Sequence, residues 1–413
     1  MIRPAMIRTA SSAIAIEATT PHPATAWWRL PWIAQVLLLF AVARLVSTVV
    51  LVLVAQHQGP SPWAGDSPGY FVFLTFWDSG WYERIFHQGY PTELPRDRLG
   101  VVEQNQWAFY GLFPGLVWLL NAVTGIGWLV LAPVVATICG FAAAPVIYRL
   151  FRLRASHGHA LWAVAFTAFL PVAPILQIPY AESLHLLLLA SALYLVATGR
   201  FLAAVPVVVL MGLARPAGVP FAIMMGLLWI AALWRRRTSA AADRESFGRL
   251  TALTAVSAVA ALAWPALAWA ATGELDAYVA TEMAWRGQPL SPFSPWYWAS
   301  YALLGPWWGM VAVMGLLALV VAVFRSEAVR RIGPVLWFWC VSYVGYLAAF
   351  WDPHSSTLRI LLPLFPLLLA VSFAVRRRAL RWSLLMLMIP LQVLWVAWFW
   401  AWDPSTAIGI DPP

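Results

Sequence analysis

The chain has 413 residues, of which 62% are hydrophobic and only 10% charged, and its formal net charge is +9. That balance excludes a soluble domain with an ordinary hydrated surface, which carries roughly 25% charged residues. Nucleic-acid binding is excluded by placement. All 26 basic residues are arginines that fall in short clusters between apolar runs, the pattern of residues retained on the cytoplasmic side of a membrane.

In chain order, residues 1–31 read as a cytoplasmic tail. The run 32–54 is long enough to remain as an anchor, so no cleaved signal peptide is read. Residues 55–126 form a long first loop on the external side, carrying interfacial helices. Within it, 108–123 is apolar but short and interrupted by Pro114, and it is read as an interfacial or half-inserted helix. Further spans are predicted at 127–150, 160–178, 183–198, 201–215, 217–234, 250–271, 304–324, 334–350, 359–375 and 382–402. Most approach the ~20 residues that a hydrocarbon core of about 30 Å requires. With the N-terminus inside, 19 of the 26 arginines lie in cytoplasmic loops or at that boundary, against four of the 17 acids. Counting 108–123 as a span inverts this distribution. The expected fold is all-α: a polytopic membrane protein of about 11 transmembrane helices forming one domain over 32–402, with an external tail at 403–413. The absence of lysine, with abundant Ala, Val, Leu and Trp, fits a GC-rich bacterial genome.

Four places carry candidate chemistry. Asp78 lies in the first loop within Phe76-Trp77-Asp78-Ser79-Gly80-Trp81-Tyr82. A helix starting near Asp78 puts Asp78, Trp81, Tyr82 and Ile85 on one face. A carboxylate beside aromatic rings is a common way to hold a sugar, and Asp78 is read as a general base toward an acceptor hydroxyl, with Trp77, Trp81 and Tyr82 as binding walls. The competing reading makes the aromatics an interfacial belt and Asp78 a helix cap. Glu182, in Pro179-Tyr180-Ala181-Glu182-Ser183, either binds a substrate hydroxyl or is an acid favoured by the dipole of an early helix. Arg215, in Ala214-Arg215-Pro216-Ala217-Gly218, sits where two short spans meet. An arginine within a span costs roughly 2.5–3.5 kcal/mol on insertion scales, so it is read as a phosphate fork or as the partner of an acid such as Glu182. His354 and Arg359 lie in the short external loop 351–359, where Arg359 enters the next span and either neutralises a leaving phosphate or snorkels to the interface. Arg44, inside the first span, is left out of the site. Cys139 and Cys340 lie in apolar segments, with neither a disulfide framework nor a metal-ligand spacing. No glycine-rich phosphate loop occurs.

These pieces, in this order from about residue 32 to 375, resemble the PIG-V-like (GPI mannosyltransferase 2-like) bacterial branch of the GT-C glycosyltransferases. The resemblance rests on Phe76-Trp77-Asp78 with Gly89-Tyr90, on Ala108-Phe109-Tyr110-Gly111-Leu112-Phe113-Pro114, on the Glu182 and Arg215 motifs, and on Arg359 with Pro363 and Pro366. It implies a multi-pass cell-membrane enzyme of the cell envelope that takes mannose from a polyprenyl-phosphate carrier on the external face. The first-loop acid, here Asp78, is then the base of a single displacement, and Arg215 and Arg359 stabilise the leaving phosphate. The implied partners are membrane lipids, the polyprenyl-phosphate-mannose donor and a glycan, glycolipid or protein acceptor, with neither nucleotide nor assigned metal. Tyr110-Gly111, Ala181 and Ala217 depart from the residues more usual in that family. The rival reading is a polytopic transporter or lipid flippase with Asp78, Glu182 and Arg215 as substrate sites.

Overall fold

The computed structural model describes residues 26–238, 244–287 and 291–403. Most of the expected tails, at 1–25 and 404–413, therefore lies outside the described residues. Helices dominate, and the single pairing of extended backbone among the described residues is an isolated bridge between Arg96 and Val102. The long helices begin with α1 (Trp32–Ala55). The first loop contributes α2 (Ser79–Gln88) and α3 (Leu112–Thr124). Then come α4 (Trp128–Arg152), α5 (His157–Phe169), α6 (Glu182–Ala197) and α7 (Phe201–Gly212). They are followed by α8 (Gly218–Thr238), α9 (Arg244–Thr272), α10 (Ala277–Arg286) and α11 (Ser294–Arg325). Last are α12 (Pro334–Phe350), α13 (Pro366–Ala374) and α14 (Arg378–Trp395).

The apolar composition makes these helices, and local chemistry sets their ends. Ser156 accepts from the His159 amide to cap α5, which satisfies a donor that the first turn leaves open. Arg149 and Arg152 in the last turn of α4 complement the negative end of its dipole. Gly125, at φ 71°, closes α3 by donating to the Asn121 carbonyl, a left-handed position that glycine reaches without a Cβ penalty.

The expected eleven spans are not confirmed. Among the described residues, six helices (α1, α4, α8, α9, α11 and α14) are long and apolar enough to cross a bilayer, or seven if the bent pair Thr357–Leu364 and Pro366–Ala374 is one span. The other runs break. The run at 160–178 splits where α5 stops before Pro171 and resumes as a 3₁₀ turn over Ala173–Gln177. The run at 359–375 bends by 76° around Pro363 and Pro366. Helices α6, α7 and α12 have 16, 12 and 17 residues. Helix α3 has 13 residues, about 20 Å of rise, which is short of the bilayer core. Pro114 does not interrupt it: it is the third residue of the helix, where a missing N–H costs nothing. Helix α11 merges two segments across a kink at Gly305 (φ 75°), next to the expected span start at 304.

Broken helices leave carbonyls without partners, and in an apolar core each needs one. Arg44 supplies two of them. From the middle of α1 its Nη1 donates to the Ala173 carbonyl (2.5 Å) and its Nη2 to the Ala168 carbonyl (2.7 Å), with the guanidinium 5.0 Å from the Phe40 ring. This arginine holds the α5 break together and lies outside the cavity described below. Replacing it with leucine leaves two buried acceptors unmet, at about 1–3 kcal/mol each. Arg44→Leu is therefore expected to lower the melting temperature clearly in lipid nanodiscs, and Arg44→Lys, which lacks the fork, to recover only part of the loss. An unchanged melting temperature for Arg44→Leu rules out this structural role.

Candidate active site

Asp78 precedes the first residue of α2, yet its side chain makes no cap hydrogen bond. The reason lies one residue earlier. Trp77 adopts φ 60°, a left-handed conformation that is strained for a bulky residue and persists only when its surroundings over-determine it. Its indole donates to the Trp400 carbonyl (2.7 Å), and its ring packs 5.0 Å from Trp63 and 5.4 Å from Trp402. The aromatic clamp holds the turn, and the Asp78 amide accepts a further restraint by donating to the Tyr180 hydroxyl (2.9 Å). The carboxylate, on a residue only 6% exposed, points inward.

There it meets the other candidates. Asp78 Oδ2 accepts from Arg359 Nη1 at 2.9 Å. Arg359 Nε lies 3.5 Å from Glu182 Oε1, and the same oxygen pairs with Arg215. The four side chains thus alternate in sign along one chain of ion pairs. Glu182 is the first residue of α6 and 3% exposed, where the positive helix end favours its charge. Arg359 comes from the short helix Thr357–Ile360, is 8% exposed, and stacks 5.0 Å above the Tyr180 ring.

Arg215 occupies the break between α7 and α8, and glycines fix that break against α9. A Cβ on Gly212 would lie 2.8 Å from the Ala260 carbonyl oxygen, and one on Gly218 would lie 2.9 Å from the Ala261 Cα. Both neighbours are backbone and cannot yield, so the small residues bracketing Arg215 let the two helices approach α9 and aim the arginine inward.

Asp78, Arg215 and Arg359 line a cavity of about 390 Å³, within the size range of small-molecule sites, together with Tyr82, Phe109, Glu282, Trp285 and His354. The Tyr82 phenol is held protonated because burial raises its pKa. Glu182 instead lines a void of about 20 Å³ behind the arginines, shared with His185 and Tyr343, large enough for one water. His354 is on the cavity rim, its ring 4.6 Å from Trp351. Two aromatic candidates stand elsewhere. Trp77 belongs to the clamp, and Trp81 stacks behind the wall on Phe109 (5.9 Å) and edge-on to Trp285 (5.1 Å). Among the described residues, no three His, Cys, Asp or Glu side chains group in a way that could hold a metal ion.

Sequence reasoning noted the loop holding Glu282 and Arg286 but left this part of the cavity lining out of the site. Tyr278, Glu282, Trp285 and Arg286 follow one face of α10 at helical spacing, and the last three line the cavity. Burial raises the Glu282 carboxyl above its ordinary value, while Arg286 and a hydrogen bond with Tyr278 oppose the rise. A carboxyl raised on folding binds more protons folded than unfolded. Its contribution to stability is then complete below the unfolded carboxylate value and is lost as pH rises toward the folded one. The melting temperature of Glu282→Gln minus that of wild type is expected to increase as pH rises through and above the ordinary carboxylate range. A difference that is flat or falls over that range contradicts the assignment.

No family model matches the chain, and no curated protein matches it. Among solved structures it is similar to the archaeal oligosaccharyltransferase AglB from Archaeoglobus fulgidus in complex with an inhibitory peptide and a dolichol-phosphate, with 15% identity and a TM-score of 0.47 over 94% of this chain and 57% of that one. It is also similar to the Archaeoglobus fulgidus oligosaccharyltransferase tethered to an acceptor peptide containing the NVT sequon (13%, TM-score 0.49, 92% and 57%) and to its apo form (14%, TM-score 0.47, 92% and 58%). The chain spans less than three fifths of the length of these proteins.

Proposed function

We propose that this chain is a membrane glycosyltransferase that moves a sugar, by our reading mannose, from a polyprenyl-phosphate donor to an acceptor hydroxyl, with Asp78 as general base. The observation that carries the proposal is the convergence of two acids and two arginines from four distant segments, with Asp78 and Arg359 281 residues apart, beside one cavity with aromatic walls. Buried charges are costly unless paired, and a purely structural pair has no need of a cavity.

In the proposed step, Asp78 takes the proton of the acceptor hydroxyl as its oxygen bonds to the anomeric carbon. The bond from that carbon to the phosphate oxygen breaks, and the phosphate leaves with the electron pair. Arg215 and Arg359 face the charge that develops on the leaving group, and fixed charges of this kind are often the largest catalytic contribution. The ion pair with Arg359 holds the carboxylate toward the cavity in the meantime. Glu182 lies between the two guanidiniums and keeps them from repelling one another. The cytoplasmic N-terminus and the external site follow from the arginine distribution and belong to the same proposal. The transporter reading lacks an observation that favours it over this one.

The test is transfer of labelled mannose from polyprenyl-phosphate-mannose in membranes containing the wild-type chain. Transfer above that of membranes without the chain is expected, and its absence with a range of glycan and glycolipid acceptors rules out the proposed reaction.

A further inference from the structure

The wall that α10 contributes to the cavity of Asp78 has no part in the displacement just described. It is nevertheless built with care. Helix α10 is anchored on its back by Ala277, which is buried with Trp107, Tyr110 and Trp264, and by Asn105, whose Nδ2 donates to Thr281 Oγ1 (3.0 Å). At its end, Arg286 Nη1 donates to the Phe350 carbonyl (2.6 Å). The front face therefore presents Glu282 and Trp285 from a rigid element, which places a binding group more accurately than a loop does. The Trp285 ring is locked edge-on between Trp81 (5.1 Å) and Phe109 (5.3 Å).

The charges say what such a wall can hold. Arg215 and Arg359 are matched by Glu182 and Asp78, and Glu282 has Arg286 one helical turn away. Asp352 adds a further carboxylate to the lining, so the cavity has no surplus of positive charge with which to select an anion. A carboxylate that accepts from several hydroxyls, in a cavity also lined by Tyr82, Phe109 and Trp285, suits an uncharged polyhydroxylated ring with polar edges and C–H faces.

We propose that Glu282 and Trp285 form a saccharide subsite for the acceptor, with Glu282 accepting hydrogen bonds from ring hydroxyls and the aromatic wall covering a C–H face. The acceptor is then a glycan or glycolipid whose terminal sugar sits on α10, and its reacting hydroxyl faces Asp78 across the cavity. This rests on the glycosyl-transfer reading for the word acceptor, but the binding of sugar does not depend on turnover.

The experiment measures equilibrium binding of methyl α-mannoside and methyl α-glucoside by saturation-transfer NMR. It uses the full chain in phosphatidylcholine nanodiscs, which avoids alkyl-glycoside detergents. Wild type is expected to bind at least one glycoside. Glu282→Gln and Trp285→Leu are expected to weaken it tenfold or more, and Trp285→Phe by less, since it keeps a ring. Melting temperatures of the variants within a few degrees of wild type show that they are folded. Failure of both glycosides to bind wild type, or equal affinity in folded variants, overturns the subsite. Transfer kinetics separate the two readings. A wild-type chain that binds the sugar but transfers none refutes the reaction and leaves a saccharide site. A raised KM for the donor, with the acceptor KM unchanged, in Glu282→Gln assigns the wall to the donor and overturns the acceptor assignment.

Discussion

Asp78→Asn is expected to lower kcat for mannosyl transfer by about 10²–10⁴-fold, the usual contribution of a positioned general base. The substitution is close to isosteric. The amide oxygen can still accept from Arg359 Nη1, which lies 2.9 Å from Asp78 Oδ2, and Arg359 keeps Glu182 at 3.5 Å. Trp77 holds the turn through the Trp400 carbonyl without help from the carboxylate. The variant is thus expected to fold, with a moderately reduced melting temperature, and to bind donor and acceptor with little change in KM. What it loses is the ability to take a proton. Asp78→Glu keeps that ability but lengthens the side chain inside a tight network, so an intermediate loss is expected. Transfer by Asp78→Asn within twofold of wild type removes the base assignment, whatever the fate of the other residues.

The parts of this molecule that were legible from sequence are those governed by composition and local motif. Apolar runs announce helices, and the four charged residues stood out because charge in an apolar chain is costly. Their grouping was not legible, since Asp78, Glu182, Arg215 and Arg359 meet only through the packing of separate helices. The helical projection set Trp81 on the face of Asp78, but Trp81 packs on Phe109 and Trp285 outside the cavity lining. Trp77 lay outside that projection, and its left-handed backbone turns its ring into a clamp with Trp63 and Trp402. The expected count of eleven spans is not confirmed, for a related reason. Hydropathy reports that a segment is buried in something apolar, and α6, α7 and α12 satisfy that while too short to meet the length criterion. Arg44 shows the reverse case: an isolated charge in a span whose partners are two carbonyls more than 120 residues away. The α10 wall carried a usable signal in the spacing of Tyr278, Glu282, Trp285 and Arg286. Nothing local tied that face to Asp78.

Arg359→Gln is expected to be the most destabilising single change at the site, because Arg359 is the side chain that touches both acids. Removing it leaves Asp78 without its ion pair and Glu182 with Arg215 alone. Breaking a buried pair from one side costs about 3–5 kcal/mol, most of it from the charge left behind. That origin makes a specific demand on the double variant. Asp78→Asn with Arg359→Gln removes the stranded charge as well as its partner, so the double variant should be more stable than Arg359→Gln alone, with a coupling beyond additivity of the kind seen between residues in contact. Activity should behave differently. Both variants lack the guanidinium that faces the leaving phosphate, and the double variant also lacks the base, so stability returns without transfer. Melting temperatures and mannosyl transfer measured on the same four preparations separate the structural from the chemical role of the pair. A double variant no more stable than Arg359→Gln shows that Arg359 stabilises the fold through its packing over Tyr180 rather than through the acid. Arg359→Lys sharpens the point. It keeps the charge but not the planar fork, through which separate nitrogens of Arg359 meet Asp78 and Glu182, so a melting temperature between those of wild type and Arg359→Gln is expected.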